Sequence, residues 1–146
     1  MLTTSQRSCV SGFAIAVAVI LATPASAEMV DYKADLNGAT EVPPTTSKAT
    51  GTLTASYDTV SKKITWKGSY TGLSGDATAA HFHGPAEPGT NAGVVLPIPA
   101  AKSPIDGSAT LTDAQAADLA AGKWYVNVHT AANKDGEIRG QLVKGK

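Results

Sequence analysis

Short runs in which apolar and polar residues alternate, separated by Gly and Pro, recur along this chain of 146 residues. The alternation is clearest in residues 124–129 and 137–142, where the even-numbered positions are apolar and the odd-numbered positions are polar. A period of two places the apolar side chains on one face of a β-strand, whereas a helix needs a period near 3.6. The sequence therefore predicts an all-β fold, a single antiparallel β-sandwich or flattened Greek-key barrel of about seven or eight strands.

These two runs predict a hairpin, because Asp135-Gly136 supplies turn chemistry between them. Matching the polar faces requires partners whose residue numbers sum to an even total. His129 is therefore expected beside Glu137, Arg139 or both.

Other segments show the same alternation of apolar and polar residues. Further strands are expected at residues 30–36, 50–57, 61–70, 77–83 and 94–98, of which the second and third form a hairpin. The apolar side chains on one face of each strand predict a core made of Leu53, Ile64, Trp66, Phe82, Val95, Trp124, Val126, Val128, Ile138 and Leu142.

One short connecting helix is expected after Thr112. Thr112 can act as the N-cap, Gln115 completes a capping box, and Gly122 ends the helix.

The N-terminal segment predicts export. Residues 1–27 contain one cation, an apolar stretch of about ten residues and a small-x-small ending, which is typical of a cleaved signal peptide. Cleavage leaves one β domain, residues 28–146, without the only cysteine of the chain and without a membrane span. We expect this domain to be periplasmic or secreted.

The predicted mature domain is close to neutral. It loses Arg7 and keeps the other 11 basic residues against 12 acidic ones, a formal charge of −1. This balance gives no electrostatic support for binding nucleic acid or an anionic membrane.

All three histidines lie in two of the predicted strands. His81 and His83 form a His-x-His pair, which directs both imidazoles to one side of a strand, and His129 lies on another. If the two strands are neighbours, three ring nitrogens could reach one ion at about 2.0 to 2.1 Å. Imidazole ligation without a thiolate suits copper first and zinc second.

Four polar residues near these segments allow more than one interpretation. Glu41 could be a fourth ligand or accept a hydrogen bond from a ligand, although a salt bridge at the edge of a turn is favoured. Asn127 could orient an imidazole or simply pair across the sheet. Glu137 and Arg139 could take part in catalysis, although an ordinary cross-strand ion pair is favoured.

Several motifs in order resemble the CHRD domain, named after chordin, over nearly the whole mature chain. The motifs are Leu36-Asn37-Gly38 with Glu41-Val42-Pro43-Pro44, Ala80-His81-Phe82-His83-Gly84-Pro85, Tyr125-Val126-Asn127-Val128-His129-Thr130, and Gly136-Glu137-Ile138-Arg139-Gly140-Gln141-Leu142. The resemblance implies an exported β domain and says little about activity.

The histidine layout is also similar to that of copper-zinc superoxide dismutases. The resemblance implies that His81, His83 and His129 are copper ligands and that Arg139 guides the anion. Residues 84–93 contain no histidine, so the bridging ligand and the zinc site of that family are missing, as are its disulfide cysteines. The likeness therefore implies a copper-only site.

Three functions of different classes follow. The first is an exported metal-binding protein with copper at the three histidines. The second is a copper-dependent dismutase or related redox enzyme, with no catalytic residue identified beyond Arg139 as a possible anion guide. The third is a metal-independent binding or adhesion module, whose protein partner the sequence does not identify.

Overall fold

The structure is a computed structural model that describes residues 26–145. Nine strands and one helix account for its regular elements, apart from a 3-10 turn at Gly38–Thr40. The strands are β1 (Met29–Asn37), β2 (Thr50–Asp58), β3 (Lys63–Thr71), β4 (Ala77–His83), β5 (Val94–Pro97), β6 (Ile105–Thr110), β7 (Tyr125–Thr130), β8 (Ile138–Gln141) and β9 (Val143–Lys144), and the helix is α1 (Asp113–Ala120).

The strands form one antiparallel sheet that is nearly closed into a barrel, which confirms the predicted all-β class. Their order is β5-β4-β7-β8-β1-β2-β3-β6, and β9 pairs with β1. Two strands were not predicted. β6 has a single large apolar residue, Ile105, and β9 is only two residues long, so neither carries a clear alternation.

The core forms inside the barrel from the inner faces of the strands. Nine of the ten predicted core residues are buried, and Val95 is half-buried on β5, at the end of the strand order. The β7–β8 register pairs Val128 with Ile138 and Asn127 with Arg139, which has the predicted parity. The predicted capping box between Thr112 and Gln115 also begins α1.

The outer, polar face of β7 is buried as well as its inner face. Every residue of β7 is buried, including Tyr125, Asn127 and His129. The loops that follow β1, β4 and β7 contact this face, as the hydrogen bonds described below show. The apolar face of β7 therefore lies against the core of the barrel, and its polar face is buried beneath the loops.

Among residues 26–145, no helix is both long and apolar enough to cross a membrane. The predicted signal peptide, residues 1–27, lies almost entirely outside the described residues.

Candidate metal centre

The three histidines lie on two adjacent strands, β4 and β7. The register pairs Ala79 with His129, His81 with Asn127 and His83 with Tyr125. Since these positions share a parity, their side chains all point to the outer face of the barrel, and Phe82 points into the core. The condition that the two strands be neighbours is therefore met.

The imidazoles converge as predicted. One nitrogen of each ring, taken together, forms a group whose members all lie within 4.8 Å of one another. Two ligands at about 2.1 Å from one ion are at most about 4.2 Å apart, so small side-chain rotations would complete a three-nitrogen site. The closest contact is between His81 Nδ1 and His129 Nε2, at 3.1 Å.

Two of the rings have a defined tautomer. His83 Nδ1 is 2.9 Å from the carbonyl oxygen of Ala92, and His129 Nδ1 is 2.8 Å from that of Lys134. A carbonyl oxygen only accepts, so each Nδ1 carries the proton and donates it. In a neutral ring the lone pair is then on Nε2. His83 Nε2 is buried and has no hydrogen-bond partner, which is an unfavourable arrangement unless a further group binds there.

The environment favours the neutral form of His81 and His83. Burial, followed by the neighbouring rings of His129 and His83, lowers the pKa of His81. Burial is also the main reason that the pKa of His83 is lowered. Metal binding requires neutral imidazole, so these shifts reduce competition from protons. His81 is only half-buried, so solvent reaches the site on its side.

A stack of three side chains supports His83. The ring of Tyr125 lies parallel to that of His83, with centroids 4.8 Å apart and an angle of 2° between the planes. On the other side, Arg139 Cζ lies 3.3 Å from the Tyr125 centroid. The Tyr125 hydroxyl also contacts both the N–H and the carbonyl oxygen of Ala92. Tyr125 was not predicted to have a role, although its odd number placed it on the histidine face.

Arg139 and Glu137 do not form the expected ion pair. Among the described residues, neither appears in a salt bridge. Arg139 is buried and donates to Asn91 Oδ1 and to the carbonyl oxygen of Thr90. The prediction was wrong because the covering loops offer both side chains other partners.

Glu137 is a fully buried carboxylate that accepts hydrogen bonds from neutral groups. Its donors are Ser47 Oγ at 2.7 Å, the Ser74 N–H at 2.8 Å, Ser74 Oγ at 2.6 Å, Thr130 Oγ1 at 2.7 Å and Asn133 Nδ2 at 3.1 Å. Burial alone would raise the pKa of Glu137, but the hydrogen bonds from Ser74, Thr130 and Ser47 outweigh it and lower the pKa to about 2.

The favoured salt bridge of Glu41 is also absent among the described residues, because this side chain is buried. Burial raises the pKa of Glu41, while the Val42 N–H, Arg139 and Asn127 act in the opposite direction. Glu41 is not part of the converging group, which contains the three histidines alone in the part of the chain that is described. Asn127 Nδ2 lies 3.4 Å from the Asp135 carbonyl oxygen, and its Oδ1 is buried without a partner.

Comparisons with curated proteins and with solved structures found no match. The family model for the CHRD domain matches residues 32–142, a span that includes all three histidines and both loops that bind them. CHRD domains are typically extracellular or periplasmic. This chain belongs to the CHRD domain family.

Proposed function

We propose that this CHRD-domain protein is exported and binds one copper ion through His81, His83 and His129. The observation that carries the proposal is the pair of carbonyl acceptors at Ala92 and Lys134. They hold the Nδ1 protons of His83 and His129 and leave the lone pairs on Nε2 in two of the three rings that converge, one nitrogen of each ring lying within 4.8 Å of the others. Metal-ligating histidines characteristically donate their second ring nitrogen in this way.

The ligand set supports copper over other common ions. Three imidazoles without a carboxylate or thiolate suit copper and zinc, and cupric ion binds nitrogen ligands more tightly than zinc does. Magnesium and calcium prefer oxygen ligands. Zinc is therefore the second choice, and competition between the two metals tests the order.

The test is metal analysis of the purified domain. We expect one equivalent of copper per chain, bound in preference to zinc, with an electron paramagnetic resonance spectrum that shows nitrogen ligands. The His81→Ala, His83→Ala double variant should bind no stoichiometric copper. Thr52→Ala, an exposed position on β2, is a matched control that should bind like the wild type. Absence of stoichiometric metal in the wild type would favour the metal-independent binding module.

A redox enzyme is the second candidate, and the half-exposed side of His81 favours it. Three protein ligands leave a coordination position open, which a dismutase needs for its substrate. Arg139 would serve as the anion guide only by exchanging its bonds to Asn91 and Thr90. Superoxide consumption by the copper-loaded protein, absent in the double variant, is the measurement that separates this function from copper binding alone.

The export part of the proposal rests on residues 1–27 and on the family. Expression of the full chain with its own N-terminus should yield a processed protein beginning at Glu28. An unprocessed intracellular product would contradict export and leave the metal site to be tested separately.

A further inference from the structure

The two histidines with a defined tautomer depend on two different loops. His83 donates to Ala92, which lies in the loop between β4 and β5, and His129 donates to Lys134, in the loop between β7 and β8. Each ring orientation is therefore only as well defined as the loop that carries its acceptor. What holds these two loops decides where the Nε2 lone pairs point.

The loop of Ala92 is held by Arg139. The guanidinium donates to Asn91 Oδ1 at 3.0 Å and to the Thr90 carbonyl oxygen at 2.6 Å, one and two residues before Ala92. The same guanidinium lies over Tyr125, which bonds to Ala92 and stacks on His83. Arg139 thus acts on both the acceptor of His83 and the ring beneath it.

The loop of Lys134 is held by Glu137. Its carboxylate accepts from Thr130 at 2.7 Å and from Asn133 at 3.1 Å, which are the neighbours of His129 and of Lys134. Ser74 and Ser47 anchor the same carboxylate to the segments that precede β4 and β2. All its partners are donors, so the site requires an acceptor with two free oxygens.

Glu137 and Arg139 are two residues apart on one face of the chain, yet each is bonded to a different loop. Burying two charges without pairing them is costly unless each is well supplied with hydrogen bonds, as both are here. We infer that Glu137 and Arg139 are separate positioning residues of the three-histidine site. Glu137 fixes His129, and Arg139 fixes His83, with the lone pair of each on Nε2. The functional meaning of these roles rests on the proposed function, but the ring orientations can be tested in the protein without metal.

The test is the tautomer of each ring in the metal-free protein, read from long-range proton–nitrogen NMR correlations. The wild type should show the Nδ1–H form at His83 and at His129. Glu137→Gln places an amide donor among hydroxyl and amide donors, so it should disturb His129 and leave His83 unchanged. Arg139→Lys keeps the charge but loses the planar fork and the stack, so it should disturb His83 and leave His129 unchanged.

Copper affinity provides the second readout. Each variant should bind about 10- to 100-fold more weakly than the wild type, the usual effect of removing the partners that orient a ligand. If a buried substitution prevents folding, the exposed partners give milder versions. Ser74→Ala removes one bond to Glu137, and Asn91→Ala removes one bond to Arg139.

The inference is supported if the Glu137 variant disturbs only His129 and the Arg139 variant disturbs only His83. The same result from Ser74→Ala and Asn91→Ala, respectively, would also support it. Wild-type tautomers in all variants, or equal disturbance of both rings by each variant, would overturn it. If the wild type shows the expected tautomers but binds no copper, the proposed function fails while the positioning roles stand. If the wild type binds copper and the variants change neither the copper affinity nor the tautomer of either ring, the positioning roles fail and the proposed function stands.

Discussion

His81 Nδ1 lies 3.1 Å from His129 Nε2. Because the proton of neutral His129 is on Nδ1, His81 has to donate in this contact, and its Nδ1 becomes a metal ligand only after losing that proton. We predict a slowly exchanging His81 Nδ1–H signal in proton NMR spectra of the metal-free protein. The signal should disappear with one equivalent of zinc, a diamagnetic probe. Its persistence in a zinc-saturated sample would exclude His81 Nδ1 as a ligand.

Copper binding should weaken as the pH falls. Up to three protons compete with the ion, and an ordinary histidine has a pKa near 6.5. The lowered pKa values of His81 and His83 move this competition to lower pH, so affinity at pH 7 should be close to its maximum. Calorimetry at pH 7 and pH 5 should show a decrease of more than about tenfold. Equal affinity at the two values would contradict neutral imidazole ligation.

Glu137 should stabilise the metal-free fold at neutral pH and lose that effect in acid. Its pKa is lowered from 4.5 to about 2, so its contribution is complete above the unfolded pKa and is lost as the pH falls toward 2. Urea unfolding should show Glu137→Gln to be less stable than the wild type at pH 7. The difference should shrink between about pH 4.5 and pH 2. Thr52→Ala, an uncharged substitution at an exposed position, is the control and should show no such trend. A difference that does not change with pH would argue against a charged Glu137.

Trp124→Ala should destabilise the domain by about 3 to 5 kcal/mol, because Trp124 is fully buried and its removal leaves a cavity. Chemical denaturation measures the change in the free energy of unfolding. A loss below about 1 kcal/mol would mean that the core packs differently from the structure.

Gly136→Ala should destabilise the loop that holds His129. Gly136 has φ of 132°, and a Cβ there would meet the Glu41 carboxylate and approach Asn127 Nδ2 to 2.7 Å. The strain should cost on the order of 1 to 3 kcal/mol. Gly93→Ala is the control, because nothing lies within 4 Å of its added Cβ. Equal stability of the two variants would contradict the tight packing at Gly136.

Alternation in the sequence determined which face of each main strand enters the core. Val126, Val128 and Ile138 are fully buried as predicted, because a one-residue slip would move every side chain of a strand to the opposite face. The same rule places His81 and His83 together, and it made the convergence with His129 a prediction that the register of β4 and β7 confirms.

Only the tertiary structure decided what the polar face of β7 and β8 contacts. Glu137 and Arg139 appeared suited to an ion pair by spacing, yet loops that are distant in sequence supply Ser74 to one and Asn91 to the other. Loop paths have no periodic signal, because their backbones are not set by a repeating hydrogen-bond ladder. The sequence by itself therefore determined seven of the nine strands, their inner faces and the three histidines that converge. The partners that fix the tautomers of His83 and His129 depend on how the loops pack over the barrel.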